Sequence, residues 1–85
     1  MTREEVKAMS PRDLRLRIWA IFAEHPPTAQ LLDWLAGDNR APCLRHSWAL
    51  DVWEASGTCA GETVTFEDKE IGIAVMRLYV YLYAA

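Results

Sequence analysis

The segment Ile71 to Tyr83 constrains this chain more than any other. It carries a single charged residue, Arg77. Wound as a helix, it places Ile71, Val75, Leu78, Tyr79 and Leu82 on one side and Ile73, Met76, Val80 and Tyr83 on another. A helix that is apolar nearly all round is buried, so the other elements must gather around it. Asp68 can cap its start, and Glu70 falls in its first turn. The run Tyr79-Val80-Tyr81-Leu82-Tyr83 also has strand propensity, which keeps a strand open as the alternative. Even extended to Ala85, the apolar run is too short for a membrane span of about 20 residues.

The rest of the chain offers short units to surround it. With 85 residues, the expectation is one small globular domain spanning 1–85. A hydrophobic content of 52% against 25% charged residues argues against intrinsic disorder. Thr2 with Glu5 three residues later has the capping-box pattern of a helix start. Ser10, Pro11 and Asp13 suit the N-cap, first position and first turn of a second helix. Leu14, Ile18, Ile21 and Phe22 form its buried stripe, widened by Trp19 and Ala23. His25-Pro26-Pro27 stops it, since a residue before proline is driven out of the α region. Thr28 can cap a third, short helix through Leu31, Leu32, Trp34 and Leu35, ended by Gly37.

Pro42 to Ser56 reads as a fourth helix, because Leu44, Trp48, Val52 and Ala55 fall on one helical face. Val64 and Phe66 alternate with Thr63 and Thr65 as a half-buried strand. Gly61-Glu62 is then a turn, with Thr58 to Ala60 as a weak partner strand. The expected fold is therefore α+β and mainly helical. Several short helices and a long C-terminal apolar helix surround one core, with one small β-hairpin. The alternative is an all-α bundle.

Charge is distributed unevenly. Residues 1–17 have a net charge of +2 and the remainder −5, for a total of −3. That balance disfavours nucleic acid, which needs clustered cations to neutralise phosphates. A small nucleic-acid-binding regulator using the basic N-terminal helix, through Arg12, Arg15 and Arg17, remains an alternative. The first residues lack an apolar stretch followed by a cleavage site, so no signal peptide is expected. The expectation is a cytoplasmic protein, without membrane attachment, in which Cys43 and Cys59 stay reduced.

The inventory for chemistry is thin. Cys43 and His46 form a C-x-x-H unit that Cys59 and His25 could complete around zinc, but zinc signatures come as two close pairs. Cys43 and His46 would also approach on a helix, yet no orienting third group or oxyanion site accompanies them. Asp33, Asp51 and Glu54 are scattered rather than paired across a cleft. The glycines are dispersed and form no phosphate-cradling loop. No catalytic residue, metal or cofactor is expected.

Binding has a clearer signal, in four tryptophans. Each brings a large apolar area and an N–H that needs a partner. Trp19 and Trp48 lie on helical stripes and are assigned to the core. Trp34 and Trp53 lie at stripe edges, and with Tyr81 and Tyr83 they are the candidates for an exposed contact patch. The expected partner-binding residues are Trp34, Trp53 and Tyr83, with Arg12 and Arg15 as rim charges. A structural homodimer that buries this surplus apolar surface is the other alternative.

One family resemblance supports the binding reading. Thr2-Arg3-Glu4-Glu5-Val6-Lys7-Ala8-Met9, followed by a charged, leucine-rich helix, resembles the start of small phage accessory proteins with the phage ABA sandwich domain. Ala49 to Trp53 resembles that family's middle helix. Val64-Thr65-Phe66 and Ile73-Ala74-Val75-Met76-Arg77-Leu78 resemble its closing strand and final helix. The resemblance carries no catalytic motif and assigns no site residue. It implies a phage or prophage origin, and small phage proteins of this size act by binding and blocking a host protein. The expected function is thus non-enzymatic: an inhibitor or modulator of a bacterial host protein, acting by surface occlusion.

Overall fold

Two side-chain caps set the first helices. In the computed structural model, which describes residues 2–83, Thr2 accepts from the Glu5 amide and Glu5 reaches back to Thr2, closing a capping box. This starts α1 (Arg3–Ala8). Ser10 accepts from the Asp13 amide at 3.2 Å, and Pro11 opens α2 (Pro11–Phe22). Ala23 ends α2 in the left-handed conformation, its amide bonded to the Trp19 carbonyl. Pro27 precedes α3 (Thr28–Gly37) without a side-chain cap.

The left-handed residue after α3 is Asn39, at φ 58°, rather than the expected Gly37. The Asn39 amide bonds Ala36 and the Arg40 amide bonds Leu35, the paired bonds of a Schellman motif. Asparagine tolerates this conformation better than most residues because its short polar side chain can bond locally.

Three strands follow: β1 (Cys43–Ser47), β2 (Val52–Cys59) and β3 (Glu62–Asp68). They form one antiparallel sheet in the order β1-β2-β3. The chain ends with α4 (Ile71–Tyr83); Asp68 accepts from the Glu70 amide at 2.9 Å in the turn before it, and the Ala74 amide bonds the Glu70 carbonyl, so Glu70 rather than Asp68 flanks the helix start. Ala84 and Ala85, the end of the apolar run, lie outside the described residues.

This architecture corrects the expected fold class. The β component is a three-stranded sheet rather than one small hairpin, and the C-terminal helix has 13 residues and is not long. The sheet also excludes the all-α bundle. The main error lies in residues 42–56, expected as a helix and observed as β1, a turn and half of β2. The helical spacing of Leu44, Trp48, Val52 and Ala55 is a coincidence of two strands read as one element. Register places Leu44 opposite Ala55 and His46 opposite Trp53, so the inward residues repeat every second position on each strand. His46 stands in an inward slot where a periodicity search looks for an apolar residue. The β2–β3 turn also falls one residue early, at Ala60-Gly61, and both residues have positive φ. That is the type I′ pattern, whose twist matches antiparallel strands.

The core is organised by α4, which touches β2 and β3 as well as α1, α2 and α3. Ile73, Ala74, Val75, Leu78, Tyr79 and Val80 are all buried, together with Leu14, Ile18, Leu31, Leu35, Val64 and Phe66. Gly57 lets the Arg40 carbonyl approach β2. A Cβ there would stand 3.1 Å from that oxygen, while its 3.5 Å distance to a Leu78 methyl of α4 is ordinary van der Waals contact. Arg77 is the one buried charge of α4, and it donates to the carbonyls of Val6, Lys7 and Met9 at the end of α1. Asp68 lies 3.6 Å from the same guanidinium. Among the described residues no helix is long and apolar enough to cross a membrane.

Candidate functional site

The helix α2 has two faces that do different things. Leu14 and Ile18 point inward, and Phe22 packs at the edge of the core. Arg12, Arg15, Leu16 and Trp19 are spaced by three, one and three residues. At 3.6 residues per turn they share a sector of about 100° on the outward side. Leu16 is 55% exposed and Trp19 49%. These four residues and His25, from the loop after α2, line a shallow concavity of about 400 Å³. The His25 and Trp19 rings meet with centroids 5.3 Å apart, tilted by 39°. Among the described residues, neither arginine makes an ion pair. The result is an apolar floor with two unpaired guanidiniums at its rim. Its lining supplies area, charge and one imidazole, and it contains no carboxylate.

Of the expected contact residues, the structure brings Arg12 and Arg15 together here. Trp34 and Tyr83 lie elsewhere, on a connected run of rings. Trp34 stacks on Phe22 at 4.5 Å, Phe22 meets Tyr79 at 5.6 Å, and Tyr79 stacks on Tyr83 at 4.5 Å. This run binds α2, α3 and α4 to one another. Tyr83 is further fixed by donating its hydroxyl proton to Asp38, while the Arg40 guanidinium lies 5.5 Å from its ring centre. Burial, reinforced by the Asp38 bond, pushes the Tyr83 phenol above its ordinary 10.0, with Arg40 acting in the opposite direction. Burial likewise raises Tyr79, assisted by the charges of Tyr83 and Asp38.

Trp53 belongs to another cluster. Its ring meets His46 edge-on at 5.0 Å, and Trp48 meets the same imidazole at 4.4 Å. His46 Nε2 lies 3.3 Å from Asp51, whereas its buried Nδ1 has no hydrogen-bond partner. Trp34, Trp53 and Tyr83 are each half-buried and packed against the core.

The assignment of Trp19 and Trp48 to the core is overturned. Trp48 is 87% exposed at the tip of the β1–β2 turn, beside Leu50 at 66%. The reason is the strand geometry of residues 43–59, which turns a supposed helical stripe into a hairpin tip. For Trp19 the reason is angular: its position on α2 lies with Arg12 and Leu16, away from Leu14 and Ile18. Leu16 and His25 were missing from the expected contact set, although the spacing of Arg12, Arg15, Leu16 and Trp19 is visible in the sequence.

The cysteine and histidine candidates also separate. Strand alternation places Cys43 and His46 on opposite faces of β1, so they form no ligand or nucleophile pair. Cys43 is exposed, Cys59 is half-buried, and both are free thiols.

Comparison with known proteins found no matching family model, no matching curated protein and no matching solved structure.

Proposed function

We propose that this protein is a non-enzymatic protein-binding module that acts by covering a surface of its partner. One observation carries this reading: α2 leaves a second apolar stripe, Leu16 and Trp19, outside the core and flanks it with Arg12 and Arg15. Clustered exposed apolar side chains with a polar rim are the common anatomy of a contact surface. Tryptophan and arginine are also the residues that most often dominate binding energy. Trp34 and Tyr83 serve this surface indirectly, through the rings that hold α2 against α3 and α4, whereas Trp53 packs in the separate His46 cluster.

The resemblance of Thr2 to Met9 and of Ile73 to Leu78 to phage accessory proteins supports a narrower form. In that form the protein is a phage- or prophage-encoded inhibitor or modulator, and its partner is a bacterial host protein in the host cytoplasm. The apolar floor favours a protein partner over nucleic acid, whose backbone would need a longer track of cations.

Affinity capture from bacterial lysate tests the reading, with the wild-type protein and a Leu16→Ala/Trp19→Ala variant compared by quantitative mass spectrometry. A partner retained by the wild type and lost from the variant, with the thermal unfolding transition preserved, supports it. Identical capture by both proteins and by bare resin contradicts it.

A further inference from the structure

The chemistry of the α2 concavity specifies its partner further. We propose that it takes an acidic segment of the partner polypeptide, with an apolar side chain seated over Leu16 and Trp19 and flanking carboxylates on Arg12 and Arg15. This rests on the protein-binding reading given above. The two guanidiniums are one helical turn apart on the same face, exposed, and without an ion pair among the described residues. Arginine presents a rigid fork of donors that matches a carboxylate, and each bond to it is charge-assisted. No carboxylate of this chain lines the concavity, so both guanidiniums are open to carboxylates of the occupant.

The alternatives fit less well. A second copy docked symmetrically through the same face would gather four guanidiniums and no lining carboxylate into one interface, because a two-fold interface pairs each patch with itself. A basic or neutral partner would leave both arginines facing either repulsion or unreplaced water. Charge complementarity also gives the contact a direction. Residues 1–17 are net positive in a chain that is otherwise net negative, so a strongly acidic partner is attracted to this end and repelled elsewhere.

The test uses a display library of random 12-residue peptides panned on the wild-type protein. The three best peptides are then measured by fluorescence anisotropy against wild type, Arg12→Glu/Arg15→Glu and Leu16→Ala/Trp19→Ala. Glutamate at position 12, in the first turn of α2, suits the helix dipole, and position 15 is exposed and makes no ion pair, so the charge-reversed protein keeps its fold, which thermal unfolding verifies. The expected result is enrichment of Asp and Glu around Leu, Phe or Trp. Charge reversal should weaken binding by about tenfold or more, equivalent to about 1.4 kcal/mol, and so should raising the salt from about 50 to about 500 mM, because salt screens exposed charges. Enrichment without acidic bias, undiminished binding to the reversed protein, or no enrichment over the Leu16→Ala/Trp19→Ala protein would overturn the proposal. Lysate capture separates the two levels. A partner lost with Leu16→Ala/Trp19→Ala but kept with Arg12→Glu/Arg15→Glu removes the acidic segment and leaves the binding module standing.

Discussion

The Arg77 guanidinium donates to the Val6 carbonyl at 2.7 Å, joining the last helix to the first across 71 positions of sequence. The same nitrogen also reaches Lys7 at 3.1 Å and Met9 at 3.0 Å. A helix of six residues cannot hold itself together in water, because nucleation is costly and the chain is short. α1 is therefore stabilised from outside, by burial of Val6 and by a cation at its carbonyl end.

Replacing Arg77 with alanine should leave those carbonyls without their donor and open a cavity beside α4. The expected loss is about 3 kcal/mol, since breaking a buried charged interaction costs about 3–5 kcal/mol and this side chain is slightly exposed. Urea denaturation measures it. Native-state hydrogen exchange should show the greatest local loss of protection in residues 3–8.

Ala60 holds φ at 53° in the β2–β3 turn, where an alanine side chain is strained. Ala60→Asn gives the Asn-Gly pair that this turn prefers and should raise stability by about 1 kcal/mol. Thermal unfolding measures the gain. The same substitution at Thr63, the second residue of β3, should show none.

Tyr83 and Tyr79 are both raised above the ordinary phenol value of 10.0 when folded. A group with a raised folded value contributes stability that is complete below the unfolded value. That contribution is lost as pH rises from about 10 through the folded values. Stability should therefore fall above pH 10, and Tyr83→Phe should make the fall shallower. Denaturant titrations at pH 8, 10 and 11 read the slope.

Two tryptophans of α2 and α3 should behave oppositely. Trp34→Ala removes the ring stacked on Phe22 and should destabilise by about 2 kcal/mol, below the 3–5 kcal/mol of a fully buried aromatic. Trp19→Ala, at a half-exposed site, should cost less than about 1 kcal/mol while weakening partner binding. Paired denaturation and binding measurements separate stability from docking.

The sequence was most readable where a local interaction decides the structure. Thr2 and Ser10 each cap a helix with their own side chains, so those starts stand at the residues that signal them, whereas Asp68 bonds the Glu70 amide in the turn just before α4. The central place of α4 was equally legible, because its apolar residues leave no face for water. Residues 42–56 were opaque because their structure depends on pairing with residues 62–68, and spacing within one segment carries no trace of a partner strand. His46 deepened the error by occupying an inward position with a polar ring. The candidate site was half legible. Arg12 and Arg15 stand out by charge, whereas Trp19 adjoins Ile18 in sequence and reads as a widening of the apolar stripe. Only its angle around α2 puts it on the other face.

The outer face of α2 as the docking surface is tested most directly by site-specific photo-crosslinking in bacterial lysate. A photoreactive residue replaces Leu16 in one protein, and Thr65, exposed on the polar outer face of the sheet, in another. The account predicts a discrete cross-linked partner from position 16, lost when Arg12 and Arg15 are reversed to glutamate, and none from position 65. A partner that cross-links only from position 65, or equally from both, would contradict it.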